Sequence, residues 1–183
     1  MCVHNVYSST RTRIATDECK TDVGLRNQAI SILRQYAMET IRAHSHFHAG
    51  HRQLDYKGKC AWVHGHTWRG RFTVRAERFP RIEKLDMGVD FGALKGIFKF
   101  LDHKMLVSAR DTLFQQPEIF DPQGIVVMPG ENPSVENVAL YCLNEAVELL
   151  AKLFPGEGID YHIEVEIQET DNNFYIMDRQ VTI

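Results

Sequence analysis

The chain has 183 residues, 44% hydrophobic and 25% charged, with a formal net charge of -3 and nine histidines. That length and apolar content suit one globular domain able to bury a core without disulfides or a structural metal; the mixed, slightly acidic charge excludes the basic footprint of a nucleic-acid or anionic-membrane binder. Cys2, Cys19, Cys60 and Cys142 form no CxxC pair, and neither a signal-peptide core in MCVHNVYSST nor an apolar run of about 18 residues occurs, so a reducing cytoplasm is expected.

Residues 1–40 are expected to form an N-terminal extension with a helix marked by Val23, Ile30, Leu33 and Ala37. The main domain is expected over residues 41–183. From Ile41 to Ala49 the pattern predicts a strand, with Ala43, Ser45, Phe47 and Ala49 on one face and His44, His46 and His48 on the other; His51 follows just past its end. HTWRGRFTVRAER alternates Trp68, Phe72, Val74 and Ala76 with Thr67, Arg69, Arg71, Thr73 and Arg75, as a half-buried antiparallel strand does. Asp90 can cap a helix with an apolar face of Phe91, Leu94, Phe98 and Leu101, which leaves Asp102 and His103 at its C-terminal end. Val107 to Glu131, with three prolines and two glycines, reads as a long irregular connection. A second helix starts after Asn132, with Pro133 in its first turn, and runs through Val135, Val138, Ala139, Cys142, Ala146 and Leu149 until Pro155 and Gly156. DYHIEVEIQET and NFYIMDRQVTI predict two strands joined around Asp171, Asn172 and Asn173. The order strand, strand, helix, helix, strand, strand implies an α+β fold, a four-stranded antiparallel sheet with both helices on one face.

The chemistry concentrates in CAWVHGHTW, residues 60–68. Neutral imidazole is a common zinc ligand, and in extended backbone His64 and His66 project to the same side. If the first two strands pair through the turn at Lys57, Gly58 and Lys59, His51 comes close as a third ligand; three protein ligands leave a fourth position open, as in catalytic zinc sites. HxH pairs also arise by chance among nine histidines, and the row His44, His46 and His48 is either a second metal face or a solvated strand face. Cys60 is open between zinc ligand, inert thiol and proton acceptor. Glu169 continues the inward face of Tyr161, Ile163, Val165 and Ile167, where a carboxylate is costly unless something satisfies it. It is either the wet end of the strand or an acceptor for adjacent N–H donors, such as a pterin or guanine edge. Asp102 and His103 are ambiguous alone, because a helix end favours histidine through its dipole.

Six segments in register, FHAGH (47–51), CAWVHGH (60–66), VDFGALK (89–95), LDHKML (101–106), ENPSVEN (131–137) and IQET (167–170), resemble the successive motifs of the 6-pyruvoyl tetrahydropterin synthase / 6-carboxytetrahydropterin synthase family, over residues 41–183. The resemblance implies the tunnelling fold, in which the sheets of several subunits close into a barrel with active sites between subunits, in a hexamer-type homo-oligomer. It implies Zn2+ on His51, His64 and His66, a Cys60 proton acceptor, an Asp102/His103 proton relay, and Glu169 with Thr170 anchoring the pterin of 7,8-dihydroneopterin triphosphate. Three residues separate Cys60 from HGH, the spacing of the 6-carboxytetrahydropterin synthases of queuosine and deazaguanine biosynthesis, which release acetaldehyde and triphosphate. The alternatives are the pyruvoyl synthase reaction, without carbon–carbon cleavage, and a non-catalytic pterin- or purine-binding module. A branch with glutamate at the cysteine position is disfavoured by Cys60 itself. His48 and Gly50 in the first motif, and Val107 where an asparagine often follows LDHxxL, depart from the family pattern.

Overall fold

The structure, a computed structural model, describes residues 37–82 and 84–183. The expected N-terminal helix lies outside these residues. Strand β1 (Glu39–His51) pairs antiparallel with β2 (His64–Ala76) in an unbroken register from Glu39↔Ala76 to His51↔His64. Alternation decides which side each residue takes: Ala43, Phe47, Trp68, Phe72 and Val74 are buried on one face, while the β1 histidines at 44, 46 and 48 are exposed on the other. Strands β5 (Asp160–Thr170) and β6 (Asn173–Thr182) extend the sheet beyond β2. Helices α1 (Phe91–Phe100) and α2 (Val135–Leu153) cover the apolar face, α1 against β1 and α2 against β5 and β6. No helix among the described residues is long and apolar enough to cross a membrane.

The expected α+β architecture is therefore present, with one correction. The sheet has six strands, not four, because the segment read as an irregular connection contributes part of β3 (Lys104–Val107) and all of β4 (Ile125–Val127). β3 runs parallel to the end of β1, and β4 parallel to β3. These strands cover the β1 edge beside His51 and bury Leu106, Val107 and Val126.

The helix boundaries follow local chemistry. Asp90 caps α1 by accepting a 2.7 Å hydrogen bond from the Gly92 N–H. Leu94, Phe98 and Leu101 are buried as expected, but Phe91 is half exposed. Helix α2 begins at Val135, two residues later than a start at Pro133, after the cap Ser134, whose carbonyl accepts from the Val138 N–H at 2.9 Å. Gly70 fixes how closely α1 can approach: a Cβ there would land inside the Phe98 ring, which stacks on Phe72 at 4.6 Å and on Phe47 at 6.3 Å. Gly70→Ala should therefore cost about 3 kcal/mol, as overpacking against a fully buried ring does. Urea titration checks this; a midpoint equal to wild type would mean that the ring can move aside.

Candidate metal and active site

The antiparallel register sets the last residue of β1, His51, opposite the first residue of β2, His64, and two-residue periodicity brings His66 to the same inner face. One ring nitrogen from each of the three lies within 4.8 Å of the others. The ring centroids are 4.5 Å apart for His51 and His64, 5.2 Å for His51 and His66, and 5.0 Å for His64 and His66. The sequence expectation that the hairpin brings His51 to the HGH pair is met.

Tautomers follow from the hydrogen bonds. His51 Nδ1 lies 2.7 Å from the Pro133 carbonyl, and His64 Nδ1 lies 2.7 Å from the Trp62 carbonyl. A carbonyl can only accept, so in the neutral rings each Nδ1 carries the proton and each Nε2 keeps its lone pair. His51 Nε2 is buried without a hydrogen-bond partner and sits 3.6 Å from Glu169 Oε1. Burial, only partly opposed by the Pro133 hydrogen bond and reinforced by His64 and His66, pushes the His51 pKa down to about 4. Burial likewise lowers His66, against the attraction of Glu169. Three converging neutral imidazole lone pairs fit a divalent metal with nitrogen preference.

The surroundings hold the ligands still. Trp68 donates from Nε1 to the Ala49 carbonyl at 3.2 Å, and its ring meets those of His51 and His66 at 5.1 and 5.4 Å. Arg52 donates twice, at 2.7 Å each, to buried Asp111. Asn132 accepts from the Leu54 N–H at 2.7 Å and donates to the Leu54 carbonyl at 3.1 Å. ENPSVEN thus serves the site through Asn132 and through the carbonyl of Pro133, contributions that side-chain reading missed. The Asn-Pro pair before a helix was the available signal.

Cys60 lies half-buried in a short 3-10 turn, Lys59–Ala61, within the β1–β2 hairpin. Its carbonyl accepts a 2.7 Å hydrogen bond from the Gln53 N–H, and its thiol stands outside the three-histidine cluster. Glu169 sits at a β-bulge: Gln168 pairs with Phe174 and Thr170 with Asn173, which leaves Glu169 without a partner on β6. A bulge re-aims a side chain, and here it accompanies a carboxylate turned towards His51. Thr170 ends the same strand.

Asp102 and His103 lie elsewhere. The His48 N–H donates to Asp102 Oδ1 at 2.7 Å, and the His103 N–H donates to the His48 carbonyl at 2.7 Å, so the pair docks on the β1 edge just before β3 begins. Asp102 Oδ2 accepts from His103 Nδ1 at 2.9 Å. The His48 hydrogen bond, with His103 adding to it, holds the Asp102 carboxyl below its ordinary range. His103 adopts φ 60°, the left-handed region that a non-glycine residue enters only when its surroundings hold it there. Its ring meets His48, which points to the face opposite His51. Among the described residues no hydrogen bond or ring contact joins Asp102 or His103 to the three clustered histidines of the same chain. Nor do His44, His46 and His48 form a second cluster of converging nitrogens.

The sequence model of the 6-pyruvoyl tetrahydropterin synthase family matches residues 40–180. The 6-carboxy-5,6,7,8-tetrahydropterin synthase of Rickettsia typhi is 32% identical over 134 residues, covering 70% of this chain and 91% of that protein. The protein of the same name from Rickettsia felis is also 32% identical over the same shares. The crystal structure of 6-pyruvoyl tetrahydropterin synthase from Plasmodium vivax superposes with a TM-score of 0.57 at 19% identity, over 79% of this chain and 99% of that one, a likeness of fold. This chain belongs to the 6-pyruvoyl tetrahydropterin synthase family.

Proposed function

We propose that the protein is a zinc-dependent lyase that converts 7,8-dihydroneopterin triphosphate to 6-carboxytetrahydropterin, with release of acetaldehyde and triphosphate, a step towards 7-deazaguanines such as queuosine. The observation that carries the metal-dependent reading is the trio of imidazoles whose Nδ1 atoms at His51 and His64 are tied to carbonyls while the remaining nitrogens converge. The carboxy branch is supported by the names of the Rickettsia relatives and by the spacing of Cys60 from HGH.

His51, His64 and His66 would hold Zn2+, which when bound acts as a Lewis acid on the oxygens of the substrate side chain. Glu169 accepts hydrogen bonds from the N–H edge of the pterin, with Thr170 beside it, and so fixes the ring relative to the reacting carbons. Cys60 accepts a proton from the side chain. His103, oriented through Nδ1 by Asp102, moves protons at its free Nε2 as bonds to the leaving groups break.

The same reading takes the protein as a homo-oligomer. Among the described residues Asp102 and His103 stand on the β1 edge and make no hydrogen bond or ring contact with the clustered histidines of their own chain, which supports a relay that serves the metal site of a neighbouring subunit. Such an arrangement puts each active site between subunits.

Product analysis tests the proposal: zinc-loaded protein is incubated anaerobically with 7,8-dihydroneopterin triphosphate, and pterins and acetaldehyde are measured by mass. Carboxytetrahydropterin with acetaldehyde is expected. A pyruvoyl-tetrahydropterin without acetaldehyde would reassign the chain to the reaction for which the family model is named. Ligand binding without any product would leave a binding module.

A further inference from the structure

Beyond the roles above, and resting on the enzyme reading, we propose that His48 is a positioning residue for His103 and the next proton carrier after it, passing protons between His103 and solvent. Its placement carries the argument. On β1 the backbone of His48 is turned away from β2 and fully used by the relay pair: its N–H holds the Asp102 carboxylate and its carbonyl holds the His103 N–H, each at 2.7 Å. This clamp continues the parallel pairing that begins at Ala49↔Lys104, so His103 cannot shift without dragging the strand edge.

The His48 side chain adds what a backbone clamp does not need. Its ring stands edge-on to that of His103, with centroids 6.2 Å apart, a gap that one water or a rotation of the exposed His103 ring can span. Thr67 Oγ1 lies 3.2 Å from His48 Nδ1 and fixes the orientation of the ring. On its far side the His46 ring follows at 5.7 Å, and both point to the open face. Imidazoles therefore lead from His103 outwards along β1. The step moves one proton and no other bond: protonated His103 gives up its N–H proton, a neutral His48 nitrogen accepts it on its lone pair, and the opposite nitrogen returns a proton to water. His103 is then neutral for the next turnover.

The charged and titratable groups around His48 are His46 on its own strand, Asp102, His103 and Lys104 at the junction of α1 and β3, and Arg69, opposite His46, on β2.

His48→Asn and His48→Gln keep a group that can hydrogen-bond Thr67 but carry no exchangeable charge, and their exposed position should leave folding intact. Both should lose about tenfold in kcat at neutral pH with KM little changed, and recover on addition of free imidazole, relative to wild type in the same buffer. Wild-type kcat in both variants would overturn the inference while the enzyme reading stands. A loss confined to KM, or one that imidazole leaves unchanged, would also overturn it. A wild-type chain that forms no pterin product would overturn the enzyme reading and this inference together.

Discussion

Cys60→Ala should lose turnover by at least about a hundredfold, the lower range for removing a general base, while keeping its metal and nearly all of its affinity for the pterin. The separation is structural. The Cys60 thiol stands outside the cluster of three histidines, so its removal takes away no ligand. The turn that carries it is held by backbone hydrogen bonds, from Ala61 to the Gly58 carbonyl, from Trp62 to that of Lys59 and from Gln53 to that of Cys60 itself, none of which uses the side chain. His64 should therefore remain in place through its bond to the Trp62 carbonyl. Steady-state kinetics with a metal assay and a pterin titration on the same preparation reads all three quantities. Undiminished turnover would remove Cys60 from the mechanism.

Mixed oligomers of His64→Ala and His103→Gly should regain activity that neither variant has alone. One change empties the inner face of the β1–β2 pair, and the other removes the relay on its edge. If a site takes its three histidines from one subunit and its relay from another, random mixing restores about a quarter of the sites, one half times one half. Glycine suits position 103, because φ 60° costs it nothing that histidine does not already bear. Dissociation and reassociation of the two variants, with the mixed species isolated through distinct tags, makes the measurement. Inactive mixed oligomers would place the relay in its own chain's site and contradict a site shared between subunits.

The parts of this molecule legible in its sequence are those in which side chains repeat. Two-residue alternation sorted the faces of β1 and β2, and with one hairpin it brought His51 opposite His64. The same periodicity put Glu169 on the inner face, near His51. Short parallel strands offer no such repeat: KMLV and IVV are brief apolar runs among prolines and glycines, and nothing in them separates a covered strand from a loop. The carbonyls of Pro133 and Trp62, which set the tautomers of His51 and His64, have no side-chain signature at all. Asp102 and His103 were legible as residues but not as occupants of the β1 edge. Their position depends on His48, whose backbone they clasp, and only the folded edge reveals that contact. Gly50, a departure from the family motif, has a local partner: a Cβ there would approach the Met105 sulfur to 3.1 Å, so the small residue and the long flexible one belong together.

Metal content tests most directly whether His51, His64 and His66 form the metal site on which the function depends. The wild-type chain and His64→Ala, purified alike and loaded with Zn2+, are compared by elemental mass spectrometry. One zinc per wild-type chain, lost in His64→Ala while the fold persists by circular dichroism, is the predicted result. Full zinc retained in His64→Ala would contradict it and direct attention to the exposed row of His44, His46 and His48.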